Sequence, residues 1–205
     1  MNGIDVTFSE EKMKLPIGAS KLFGNPDVWD GLGAASALGA ASAFEWPQFI
    51  EGDESYDLSF VCQINCADAA PFDKDGLLPK SGTLYFFYDM DEMPKESISP
   101  KASRVLHYDG DVSSLFEMLR TDHEGNDMSL PEMKIGFASP GRDSGQSHRL
   151  LGEPFPDEWQ PILKIQAFET GKVSLRFTNK NALCFCVKAD KLKNGDFSEI
   201  FVRQI

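Results

Sequence analysis

Residues 56–89 read YDLSFVCQINCADAAPFDKDGLLPKSGTLYFFYD, and the fold turns on them. Leu58, Phe60, Cys62 and Ile64 alternate with Ser59, Val61 and Gln63, the period-two pattern of a strand with one face in a core. A loop rich in Asp, Pro and Gly follows. Gly82 then opens the run 83–88, whose aromatics suit a pleated, half-buried surface. The stretch predicts strand, loop, strand.

Further along the chain the pattern returns. Residues 161–168 read PILKIQAF and 181–188 read NALCFCVK. Superposing Gln63 on Gln166 lays Phe60, Cys62 and Ile64 over Leu163, Ile165 and Ala167. Superposing Gly82 on Asn181 lays Leu84, Phe86 and Tyr88 over Leu183, Phe185 and Val187, and both turn residues tolerate a left-handed backbone. A slip of one residue would turn each core side chain to solvent. Each pair is followed by a further strand candidate. The expectation is two related three-strand units: 57–65, 83–89 and 104–108 against 162–168, 182–188 and 199–203. They divide the chain into pseudo-repeat halves, 56–109 and 161–205; two unrelated aromatic hairpins would leave the same trace.

The chain has 205 residues, which suits a single domain, and such a length buries about 70% of its extended surface without metal or disulfide staples. Its net charge of −12 argues against nucleic acid, which needs a clustered Lys/Arg surface. A basic protein partner fits that charge, and so does plain solubility. Residues 1–8 are short and polar, unlike a signal peptide, and no window approaches an eighteen-residue apolar run. A cytoplasmic monomer, away from membranes, is expected.

Ile4, Val6 and Phe8 alternate as a first strand would, Ser9-Glu10-Glu11 could instead cap a short helix, and 15–25 is loop-like. Residues 31–44, GLGAASALGAASAF, nearly repeat themselves and read as a low-complexity insertion, a surface loop or a weak helix. Val112, Leu115, Phe116 and Leu119 fall at helical spacing behind Asp111 as N-cap, which predicts a helix over 112–119 packed on the sheet. Strand candidates recur at 134–138, 173–177 and 197–205, with one helical turn at 190–193 and a loop at 139–148. Strands outnumber helices and stand too close together for βαβ crossovers. The fold class is therefore α+β, a mostly antiparallel sheet with few helices.

Several pieces of the chain resemble a known family. Ser20-Lys21-Leu22-Phe23-Gly24-Asn25-Pro26, Glu45-Trp46-Pro47, LSFVCQIN at 58–65 and LPKSGTLYFF at 78–87 occur in the order of the YwqG-like family of bacterial proteins. HRLLG at 148–152, Gln160, LKIQ at 163–166 and GDF at 195–197 continue the series. The resemblance runs from Ser20 onward, and 78–87 is its most specific piece. It implies an α+β fold rich in antiparallel strands, and no activity, because that family is a domain of unknown function. The chain departs from the pattern in its long 31–44 segment. It also carries Phe177, Asn179 and Asn181 where Trp, Asp and Gly are usual, and Cys184 and Cys186 at aromatic positions.

The chemistry-bearing residues point to no catalytic centre. Cys62 and Cys66 have a spacing found in zinc knuckles, but Cys62 sits on a core face, and Cys184 and Cys186 share one strand face; buried free thiols are the simpler reading. Gly31, Gly33 and Ser36 approximate a dinucleotide fingerprint without the strand and crossover it requires, and 141–147 lacks the Lys of a phosphate loop. Asp122, His123, Glu124 and Asp127 match neither a calcium loop nor a zinc motif. Ser139, Ser144 and Ser147 stand near His148 without a nucleophile elbow. No metal and no cofactor are expected. A ligand site is placed instead at Trp46, Gln63, His148 and Gln160, where an aromatic wall, an imidazole and two amides would form a partly apolar cleft. The first functional reading is a non-catalytic binding or protein-interaction module. The alternative is a small-molecule-binding protein or enzyme using His148 with residues 153–160.

Overall fold

The structure is a computed structural model and describes residues 3–30, 43–98, 101–141, 147–178 and 180–205. The expectations for 31–44 and 141–147 fall almost wholly outside those residues, as does Asn179. The first half carries β1 (Ile4–Ser9), β2 (Lys21–Leu22), β3 (Asp27–Val28), β4 (Gln48–Glu51), β5 (Glu54–Asp57) and β6 (Ser59–Asn65). There follow β7 (Thr83–Tyr88), β8 (Glu96–Ile98), β9 (Ser103–Tyr108), β10 (Phe116–Glu117) and β11 (Met133–Ala138). The second half adds β12 (His148–Leu150), β13 (Trp159–Gln166), β14 (Phe168–Glu169), β15 (Ser174–Leu175), β16 (Ala182–Lys188) and β17 (Phe201–Gln204). Helix is confined to α1 (Cys66–Ala69), α2 (Ala189–Lys193) and two 3-10 turns.

Eleven of these strands form one sheet in the order β8-β17-β16-β13-β12-β1-β11-β2-β6-β7-β9. Every pairing in it is antiparallel, and it curls into a nearly closed, barrel-like layer. The predicted triplets pair in the expected order, β6-β7-β9 and β13-β16-β17. Their register differs from the one expected. Leu84 lies opposite Ile64, and Leu183 lies opposite Ile165, so Gln63 matches Lys164 rather than Gln166. Asn181 is not among the residues with positive φ, whereas Gly82 is, at 81°. A Cβ at Gly82 would collide with the Tyr108 carbonyl oxygen, so that turn requires glycine.

The corrected register carries further matches outward. Each first strand has one extra residue, Val61 in β6 and Ile162 in β13, at the same distance from the matched isoleucines. The bulged residues' carbonyls accept from the Phe23 amide at 2.8 Å and the Leu151 amide at 3.1 Å. Phe23 and Leu151 both take left-handed backbones, with φ of 58° and 55°. β2 flanks β6 as β12 flanks β13, and β11 lies on β2 as β1 lies on β12. The pattern meets itself where β1 pairs with β11: Asp5 opposes Ala138, Ser9 opposes Lys134, and Thr7–Gly136 stands at the centre.

The bulge at Val61 also divides a face that the alternation assigned to one core. Val61, Cys62 and Ile64 join Leu84, Phe86 and Tyr88 in the main core, with Ile165, Leu183 and Phe185 from the second half. Leu58 and Phe60 point the other way, into an outer cluster with Tyr85, Phe87 and Tyr108. The predicted core residues Phe60, Cys62, Phe86, Ile165 and Phe185 are all buried, Phe60 in the outer cluster. Phe86 and Phe185, each facing a bulge, meet edge to face with ring centroids 5.3 Å apart.

The helix expected over 112–119 does not form. Val112–Ser114 is one 3-10 turn, capped by the Asp111 carboxylate on the Ser113 amide, and Leu115 is already extended. Phe116–Glu117 then pairs with Asp27–Val28. Only Leu115 of the stripe is well buried; Phe116 and Leu119 are exposed. The segment gains ladder hydrogen bonds across the fold that an isolated two-turn helix could not match. The last two strand candidates are trimmed to Ser174–Leu175 and Phe201–Gln204.

Candidate functional site

The outer face of the first half is organised by a buried polar knot. Asp27 accepts from the Lys21 ammonium at 2.9 Å, the Gln63 amide at 2.7 Å and the Gly18 backbone at 2.8 Å. Gln63 accepts from the Asp27 amide at 2.9 Å, and the Tyr85 hydroxyl donates to the Asp27 carbonyl at 2.5 Å. Lys21, Asp27 and Gln63 are essentially fully buried. A buried ion pair adds little net stability, but each group here has defined partners, and breaking one would strand the others. The knot fixes the path of 18–28 across β6.

That path positions Asn25, which in turn holds the segment 116–132. The Asn25 Oδ1 accepts from the Arg120 amide at 3.0 Å, and its Nδ2 donates to the Asp127 carboxylate at 3.1 Å. The Met118 amide bonds to the Pro26 carbonyl and the Gly24 amide to the Leu130 carbonyl. Between these ties the chain doubles back: the Met128 amide reaches the Arg120 carbonyl, and Thr121 pairs with Asp127. The Ser129 amide holds the Asp127 carboxyl below its usual range, and Asn126 does the same for Asp122 at the tip.

A cleft of about 120 Å³ opens between this doubled segment and β6. Trp46, Phe60, Phe23 and Met90 supply its apolar walls, and Met128 and Leu130 form an exposed lip. Trp46 is fixed edge-on against Phe87 and by its indole N–H, which donates to the Leu58 carbonyl at 2.8 Å. The Arg120 guanidinium lies over the Trp46 ring at 5.3 Å and 3.7 Å from the Asp57 carboxylate. Ser59, Asn25 and Ser129 complete the polar lining. None of the described lining residues is His, Cys, Asp, Glu or Lys. The volume admits one ring-sized or side-chain-sized group. Phe23's left-handed backbone belongs to the architecture, since Leu151 repeats it.

The four residues singled out from sequence have separate surroundings. Trp46 is part of this cleft. Gln63 lies nearby in the sheet, but it is committed to the knot beneath it. His148 is in β12, packed against Phe8 with tilted rings 4.2 Å apart and edge-on to Phe168. Its Nδ1 accepts from the Gln166 amide at 3.0 Å, and burial, reinforced by the Lys164 charge, lowers its pKa to about 4. Gln160 is buried in β13, and its amide donates to the carbonyls of Gly152 and Pro161. Asn25 lies within the motif at 20–26, whereas Arg120 and Met128 follow the run 112–119 and carry no motif of their own. The four cysteines are free and buried, with Cys184 and Cys186 sulfurs 3.6 Å apart. Burial raises the Cys62 and Cys66 thiols well above the ordinary range, so neither offers a thiolate near neutrality. Among the described residues no helix is long and apolar enough to cross a membrane.

These features define an antiparallel, barrel-like β domain with an aromatic cleft built onto its outer layer. The chain belongs to the family described as Domain of unknown function (DUF1963), which matches residues 40–142. The match includes Trp46, Arg120 and the lip of the cleft, and stops short of β12. Among curated proteins none matches the chain.

Proposed function

We propose that the chain is a non-catalytic recognition module, a YwqG-like bacterial protein acting as a cytoplasmic monomer, whose site is the Trp46–Arg120 cleft. The observation that carries this reading is an aromatic-walled recess with exposed apolar lips and a guanidinium at its mouth. Such a make-up suits an apolar anchor oriented by a few fixed polar groups. Arg120, the one charged group among the described lining residues, does not exchange protons at physiological pH. The shared bulges and the symmetric register support, as part of the proposal, descent from a duplicated strand unit.

The other reading, a small-molecule binder or enzyme centred on His148, has less support. An imidazole with a pKa lowered to about 4 is a weak general base near neutrality, and its Nδ1 is already engaged. Solution NMR with benzoate and cyclohexanol as probes separates the two. Shifts are expected at the Trp46 indole N–H and the Met90 and Met128 methyls, and Met128→Ser should weaken them about tenfold. Shifts gathered at His148 would transfer the site there, and shifts scattered over the surface would remove the cleft reading.

A further inference from the structure

The chain segments that line the cleft carry carboxylates next to their lining residues. Asp57 stands at its mouth beside Arg120, and Met90 in its wall is followed directly by exposed Asp91 and Glu92. Across the recess, the doubled segment that carries Arg120 and Met128 turns over at Asp122 and Glu124. Arg120 is the charged group lining the recess itself, and it is already shared between the Trp46 face and Asp57. The recess is thus apolar at its centre, and the segments that build it are rich in carboxylates, on a chain of net charge −12.

We infer that the cleft receives a protein segment with one apolar side chain flanked by lysines or arginines. This rests on the recognition reading above and adds the partner's chemistry. The anchor fills a recess of about 120 Å³, which is too small for a nucleotide and sufficient for a leucine or phenylalanine side chain. Met128 and Leu130, 58% and 50% exposed, close over the anchor, and covering them removes apolar surface that water now meets. Methionine beside an aromatic wall adapts to anchors of different outline. The carboxylates on these segments, with the net negative charge of the chain, favour flanking cations and repel acidic segments, so they set selectivity and encounter rate more than affinity. The Asn126 side-chain and backbone amides hold the Asp122 carboxyl below its usual range, and like any ordinary carboxylate it is anionic at cellular pH.

Three short synthetic peptides test this on the full chain by fluorescence anisotropy: leucine flanked by lysines, leucine flanked by glutamates, and glycine flanked by lysines. The lysine-flanked leucine should bind, at least about tenfold tighter than either of the others, and weaken about tenfold on raising NaCl from about 0.05 M to about 0.5 M. Met128→Ser, whose exposed side chain the fold does not need, should weaken it about tenfold, and so should the combined Asp91→Asn, Glu92→Gln and Glu124→Gln. If the glutamate-flanked leucine binds as well or better, the basic partner is wrong while the cleft reading stands. Equal binding of the glycine peptide would reduce the effect to bulk charge and overturn the inference. Binding by no leucine peptide overturns it too, and the benzoate and cyclohexanol shifts then decide whether the cleft binds anything.

Discussion

At the scale of single residues, His148 offers the sharpest pH dependence. The ring packs between Phe8 and Phe168 and accepts from the Gln166 amide, an arrangement that only the neutral imidazole can make. Burial and the Lys164 charge lower its pKa from 6.5 to about 4, so between those values the unfolded chain binds a proton that the fold refuses. The stability is fully present above pH 6.5, drains as pH falls, and is lost by about pH 4. Allowing for the ring's partial exposure, the loss amounts to about 1–2 kcal/mol. Urea midpoints measured from pH 7 down to pH 4.5 should fall more steeply for the natural chain than for His148→Gln, which keeps an acceptor but does not titrate. Parallel curves would mean that carboxylates elsewhere carry the whole acid response.

At the scale of elements, the segment 112–130 shows tertiary pairing overruling local periodicity. Its helical stripe is real in sequence, yet the backbone is drawn to β3 and pinned by Asn25, whose partner Arg120 lies 95 residues away. Asn25→Ala should leave the Arg120 amide without its acceptor and take from Asp127 its side-chain donor, leaving the Ser129 amide, at a cost of about 1–3 kcal/mol. Hydrogen exchange should rise roughly tenfold or more at Arg120 and Met128 while the β6–β7 ladder keeps its protection. Unchanged exchange at Arg120 would show that the Met118 and Gly24 bonds hold the segment alone. Long-range ties of this kind leave no periodic trace, so nothing in the local pattern places Asn25 beside Arg120. The strands themselves were legible, because alternating apolar runs state their own period. Their bulges were not. Phe60, Val61 and Cys62 are all apolar, so the extra residue changes the face each one occupies without disturbing the pattern on either side.

At the scale of the whole molecule, the sheet order sets β1 beside β12 as it sets β11 beside β2. In chain order the first set runs β2, β6, β7, β9, β11, whereas the second runs β12, β13, β16, β17 and takes its fifth strand, β1, from the other end of the sequence. Two readings of β1 follow. It is either the fifth strand of the second set, indifferent to the chain that delivers it, or an element whose covalent link to β2 the fold needs. Moving residues 1–10 to follow Ile205 through a flexible linker separates them. The linker must run from the end of β17 to the start of β1, across four strand spacings of roughly 4.8 Å each and, because four antiparallel steps leave these two strands parallel, back along about one strand length; about 30 Gly/Ser residues reach that comfortably. The first reading expects the permuted chain to unfold cooperatively, with a Tm within about 10 °C of the original, because every ladder bond and both bulges are retained. A control lacking residues 1–10 should lose cooperativity, since β11 and β12 would each expose an unpaired edge at the middle of the sheet. If the permuted chain behaves like that control, β1 depends on its connection through 10–20, and the symmetry of the register is a property of the finished sheet rather than of two units that assemble it.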